Sequence, residues 1–146
     1  MPSYATLDAI ADTYTPLLAL ACLVLLLRPL RALQWRVLGI RAASLAAGAF
    51  VAYGLMFMDN RLEIWPIAQL DYSTHTAVAL VLAIFLTRYW PASRLICWVS
   101  LGAYGLLMLY QRYHSLADIL STAAVVAVLY LRAELFIHRL ARRAQG

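Results

Sequence analysis

Five apolar runs, at about 14–30, 37–58, 76–90, 95–110 and 115–137, take up most of the chain and leave only short polar links between them. A bilayer core about 30 Å thick needs ~20 apolar residues per helix, so runs of this kind read as membrane spans. Several are a little short, and flanking arginines can lengthen them by snorkelling to the interface. The chain is 64% hydrophobic and 13% charged, whereas soluble domains average ~45–50% and ~25%. The expected fold is therefore all-α: one integral membrane bundle of about five transmembrane helices filling the 146 residues. No separate soluble domain fits between the runs, and disordered, collagen-like and disulfide-framework readings are excluded. Nothing in this composition suggests a nucleic-acid partner. Membrane lipids are the expected surroundings.

The first fourteen residues carry Asp8 and Asp12 and no basic residue. That is unlike the positive flank of a cleavable signal, so the first run is expected to stay as a span. Cys22 and Cys97 both lie inside apolar runs, where a lone thiol serves as a small buried hydrophobe. They suggest neither a disulfide nor a metal site.

All twelve positive residues are arginine, with no lysine, the bias of a GC-rich bacterial genome. Nine of them, Arg28, Arg31, Arg36, Arg41, Arg88, Arg94, Arg139, Arg142 and Arg143, fall at one set of span ends. By the positive-inside rule those ends face the cytoplasm. The expected setting is a bacterial inner membrane, with the N-terminus, the 59–73 loop and the 111–113 link outside and the C-terminus inside. Six of the seven acidic residues also fall outside, Glu134 being the exception. His138 reads as part of a solvated basic tail near anionic lipid. Arg61 and Arg112 stand on the outer side against the rule and call for a reason.

Two stripes of small residues in the second run, Gly39-Ala43-Ala47 and Ser44-Gly48-Ala52, have the spacing of close helix packing. Gly102 and Gly105 either do the same or face lipid. Tyr53, Trp65, Tyr72, Tyr110 and Tyr113 read as an outer aromatic belt.

Three ionisable side chains stand at the outer starts of two spans: His75, in Asp71-Tyr-Ser-Thr-His-Thr76, and His114 with Asp118, in Arg112-Tyr-His-Ser-Leu-Ala-Asp118. Ionisable groups entering a span are a functional signal. On a helix, residues four apart share a face, so Asp118 is expected to accept a hydrogen bond from His114 and fix its tautomer. His75 and His114 are expected to face each other at one depth. Two histidines, a carboxylate and guanidinium groups, without a cluster of thiols or carboxylates for metal, suit metal-independent phosphoryl transfer. In that chemistry His114 is the nucleophile, Asp118 steadies its imidazolium, His75 protonates the leaving alkoxide, and Arg112 and Arg61 neutralise phosphate oxygens. No cofactor is needed.

These residues resemble the type 2 phosphatidate phosphatase superfamily of membrane lipid phosphatases and phosphotransferases. Ser73-Thr74-His75-Thr76 is similar to that family's middle motif, especially the Ser-Gly-His-Thr form of the sphingomyelin synthase branch. Arg112-Tyr-His114-Ser-Leu-Ala-Asp118 is similar to the branch's Arg-x-His-x3-Asp. The resemblance covers roughly residues 71–122. It implies a helical bundle with its site at the outer leaflet, His114 as nucleophile, Asp118 as its partner, His75 as acid, and Ser73 and Thr74 beside the substrate. The substrate would be a lipid phosphate or a phospholipid headgroup, with water or an alcohol as acceptor. Three features depart from the family. The usual opening motif of Lys, six residues and Arg-Pro is absent, Thr74 stands where the family has glycine, and five spans replace six. Two other readings stay open: an inactive relative acting as a lipid-binding or partner subunit, and a bis-histidine haem protein that carries electrons.

Overall fold

In hydrocarbon every backbone N–H and C=O must find a partner within its own segment, and each apolar run accordingly becomes a helix. The computed structural model describes residues 4–144. Helix α1 spans Tyr4–Leu27, α2 Trp35–Leu62, α3 Ile64–Ile67, α4 Thr74–Tyr89, α5 Arg94–Tyr110 and α6 Leu116–Arg143, with 3-10 turns at Arg28–Ala32 and Pro91–Ser93. No strand occurs among the described residues. Four stretches are long and apolar enough to cross a membrane: Thr6–Ala32, Trp35–Leu62, Pro91–Tyr110 and Leu116–Arg143. The chain is an all-α membrane helical bundle.

The remaining long helix, α4, has only 16 residues, about 24 Å at 1.5 Å per residue. It packs against α1, α2, α5 and α6, and 11 of its 16 residues are buried. A helix apolar on every side belongs in the middle. Because the surrounding helices shield α4, it need not reach both headgroup layers itself.

The helices outrun the apolar segments. The first begins at Tyr4, the second continues to Leu62 and the last to Arg143. Hydropathy marks only the part that lies in hydrocarbon, while the hydrogen-bonded backbone continues into polar sequence such as Asp8, Asp12 and Arg139.

The expected polar loop at 59–73 is instead a packed hook. Its first residues finish α2, and Glu63 turns the chain in the left-handed region at φ 50°. Asp59 Oδ1 accepts from the Trp65 backbone N–H at 2.8 Å. Trp65 Nε1 donates to Ser121 Oγ at 3.1 Å, and Tyr72 Oη donates to the Ala52 carbonyl at 2.7 Å. The two rings meet edge to face at 5.0 Å. Both are buried, so Trp65 and Tyr72 are core rather than belt, and burial pushes the Tyr72 hydroxyl up to about 12. Tyr53, Tyr110 and Tyr113 remain exposed as a belt requires.

Of the two small-residue stripes, Ser44-Gly48-Ala52 makes the close contact. A Cβ at Gly48 would collide with Val81 of α4 and come within 3.2 Å of the Tyr130 ring of α6. Gly39, Gly102 and Gly105 face open space. Cys22 and Cys97 are buried free thiols in one apolar cluster with Phe85 and Leu86.

Candidate active site

The hook and the N-terminus of α6 meet at one end of the bundle, here called the histidine end. Ser73 caps α4, its Oγ accepting from Thr76 N–H at 3.3 Å, and its own backbone N–H donates to Thr122 Oγ1 of α6 at 3.1 Å. One turn away, Asp118 Oδ1 accepts from the Asp71 backbone N–H at 2.8 Å. The other oxygen of Asp118 accepts from Ser115 N–H at 2.7 Å, and Ser115 Oγ accepts in return from Asp118 N–H at 3.2 Å. This is a capping box, which satisfies the orphan donors of a helix start.

Both oxygens of Asp118 are thus engaged by backbone N–H groups, and His114 is not its hydrogen-bond partner. The expectation of a shared helical face fails for a geometric reason. Helix α6 starts at Leu116 with Ser115 as its cap, so His114 lies outside the helix, and the i,i+4 relation does not apply. Arg112, in the left-handed region at φ 58°, swings the link round. His114 instead turns toward the hook: its Nδ1 is 3.5 Å from Asp71 Oδ2, an ion-pair distance when the ring is protonated. The His114 side chain is 12% exposed, whereas that of Asp71 is 72% exposed.

His75 sits in the first turn of α4, where its Nδ1 lies 3.3 Å from Tyr104 Oη of α5. Tyr104 stacks on Tyr14 of α1 at 4.4 Å. A cavity of about 250 Å³ lies beside His75, lined by Asp12, Thr15, Tyr53 and Thr74 among others. Among the described residues no hydrogen bond or ion pair joins the two histidines. They flank the start of α4, His75 toward α1 and α5, His114 toward the hook. Arg61 is exposed, with its guanidinium 5.2 Å over the Phe57 ring, and Arg112 is exposed on the α5–α6 link. Asp8 of α1 closes the same end, accepting from Gln111 Nε2 and, at 3.0 Å, from Tyr113 Oη. That hydrogen bond holds the neutral phenol and raises the Tyr113 pKa above its ordinary value.

A second polar cluster lies at the opposite, basic end. Glu134 of α6 is 1% exposed. Its Oε2 lies 2.8 Å from Arg88 Nε of α4, and its Oε1 accepts from Ser44 Oγ of α2. Ser44 Oγ is 3.0 Å from Tyr130 Oη. His138 Nε2 lies 3.2 Å from both Arg88 Nε and Tyr89 Oη. His138 is therefore part of an interhelical network and not of a solvated tail. The signal for it is present in the sequence as Tyr130, Glu134 and His138, spaced four apart in an apolar helix.

Comparison with protein-family models, curated proteins and solved structures finds no match to this chain.

Proposed function

We propose that the chain is a membrane enzyme that transfers a phosphoryl group from a lipid phosphate or phospholipid headgroup, without a metal ion, through a phosphohistidine on His114. One observation carries the reading. Two short segments some forty residues apart converge on the start of α4, where Asp118 accepts from the Asp71 backbone and Asp71 faces His114. A carboxylate beside Nδ1 leaves Nε2 of His114 as the attacking atom.

In this mechanism Nε2 of His114 forms a bond to phosphorus while the bond from phosphorus to the lipid oxygen breaks. The departing oxygen keeps the electron pair and takes a proton from Nε2 of His75, whose Nδ1 is occupied by the Tyr104 hydroxyl. The first N–H groups of α4, those of Thr74 and His75, lack intrahelical acceptors and favour an anion at that spot. Arg112 and Arg61 belong to the same end and supply positive charge there. Water or an alcohol then breaks the phosphorus–nitrogen bond, His75 acting as base. Asp118 is a positioning residue: it fixes the backbone that carries Asp71. The basic end faces the cytoplasm of a bacterial inner membrane by the positive-inside rule, which places the site at the outer leaflet.

The test uses the purified chain in detergent with lipid phosphates and a metal chelator. His114→Ala is expected to abolish turnover while the protein stays folded. His75→Ala is severely impaired on alkyl phosphates and partly rescued on an aryl phosphate, whose leaving group needs no proton. Equal responses of the two variants, or loss of turnover on chelation alone, would overturn the assignment.

A further inference from the structure

Helices α5 and α6 are consecutive in the chain, yet they barely touch; both lean instead on α4. Between them, at the basic end, is a cleft of about 790 Å³, within the ~300–1,000 Å³ range of small-molecule sites. Its apolar part is made by Leu80 and Ile84 of α4 with Ala127 and Leu131 of α6. The small alanine side chain leaves the room. Its polar part is made by Arg88, Arg94 and His138.

The charges at that polar end do not balance. Arg88 is matched by Glu134 at 2.8 Å. Arg94, the first residue of α5, is exposed and has no acidic partner among the described residues. Among the described residues Glu134 is the single side-chain carboxylate of this end, and its two oxygens already serve Ser44 and Arg88. An unmatched guanidinium at the mouth of an apolar slot calls for an anion that carries a hydrocarbon chain. A soluble anion would leave the slot unfilled, and a neutral lipid would leave Arg94 unmatched.

We propose that the cleft between α5 and α6 holds one anionic phospholipid, its phosphate against Arg94 and Arg88 and part of one acyl chain along Leu80 and Ile84. This site is at the opposite end of the bundle from His75 and His114, and it does not rest on the catalytic reading. Trp98 and Leu131, 46% and 45% exposed at its rim, are where the chain would pass out to the bilayer.

The test incubates the full chain in detergent with equimolar phosphatidylglycerol and phosphatidylcholine of identical acyl chains, and native mass spectrometry counts the lipid retained. One phosphatidylglycerol per chain is expected, preferred about fivefold or more, the factor that ~1 kcal/mol for one arginine represents. Arg94→Gln brings the ratio toward one, Arg94→Lys keeps it, and Ala127→Phe, which fills the slot, lowers retention of both lipids. Arg94→Gln is expected to melt with the wild type, since Arg94 is exposed and has no acidic partner among the described residues. Equal retention of both lipids by the wild type, or an undiminished ratio in Arg94→Gln, overturns the proposal. So does displacement of the lipid by excess glycerol phosphate, because the site would then take a soluble anion without a chain.

Discussion

The two ends of the bundle each contain histidine, arginine and carboxylate, and they use them in opposite ways. At the basic end the buried carboxylate is held by side chains of two other helices, Ser44 of α2 and Arg88 of α4, with His138 one turn along its own helix. At the histidine end the buried carboxylates, Asp59 and Asp118, bind backbone N–H groups, and an exposed one, Asp71, is left to face a histidine. Charges tied to each other across helices hold helices together. Charges tied to a cap and a loop hold a surface in place and leave its imidazoles free to act. The first arrangement is therefore expected to govern stability and the second activity.

The largest effect that can break this contrast is on turnover. With His114 as nucleophile, His114→Ala should lower turnover of a lipid phosphate by at least about a thousandfold. Its thermal midpoint should stay near that of the wild type, because the buried Nδ1 of His114 has no hydrogen-bond partner among the described residues. A bis-histidine haem would show itself in the same preparation as a Soret band lost in His75→Ala, and none is expected.

The next effect is on stability. Glu134→Ala leaves Arg88 and the buried Ser44 hydroxyl without their acceptor. Because the Arg88 side chain is 37% exposed and partly solvated, the loss is about 1–3 kcal/mol, below that of a fully buried pair. Denaturant unfolding of the reconstituted chain measures it. A double replacement, Glu134→Met with Arg88→Leu, should recover most of the loss, since the penalty comes from the uncompensated charge. Turnover per folded molecule should be unchanged in both. If Glu134→Ala abolishes the proposed turnover while leaving the chain folded, the division between the two ends is wrong.

How much of this was legible in the sequence follows from what kind of physics each feature uses. The five helices were readable because membrane burial is imposed residue by residue, so composition alone locates 37–58 or 95–110. The centrality of α4 was not, although its lack of a polar face is the trace that packing leaves. At the histidine end, spacing singles out His75, His114 and Asp118 but misplaces the partner of His114. The i,i+4 rule presupposes a helix, and Ser115 capping with Asp118 three residues later marks a helix start that excludes His114. The hook was hidden because Trp65 and Tyr72 occur at belt depth, and only their hydrogen bonds to Ser121 and Ala52 distinguish a buried ring from an interfacial one. Glu134 was visible as an isolated acid. Its partners come from α2 and α4, which no local pattern connects.

An effect of similar size tests the helix contact on which both ends depend. Gly48→Ala puts a methyl group into Val81, and overpacking of this kind costs about 1–3 kcal/mol. Gly102→Ala faces open space and should be neutral or stabilising, because alanine restricts the unfolded chain more than glycine does. Parallel unfolding curves of the two variants check the difference, and similar losses in both would remove the argument that α2 alone needs a glycine.

The smallest effect concerns how the histidine end is closed. Tyr113 donates to Asp8 at 3.0 Å, and this bond favours the protonated phenol, so its pKa in the folded chain lies above that of the unfolded chain. A raised value means that the tie contributes fully below the unfolded pKa of about 10 and is lost as pH rises through the folded one. Above that point a phenolate would face the Asp8 carboxylate, and the start of α1 should loosen from the α5–α6 link. Ultraviolet titration of tyrosinate in wild type minus Tyr113→Phe isolates this one hydroxyl among the nine tyrosines. The difference curve should rise at a pH above the midpoint of free tyrosine, and Asp8→Asn should move it back down, since an amide in that place carries no charge to repel the phenolate. A difference curve at or below the free-tyrosine midpoint would mean that Asp8 does not hold Tyr113, and that the Gln111 hydrogen bond is what ties Asp8 of α1 to the α5–α6 link.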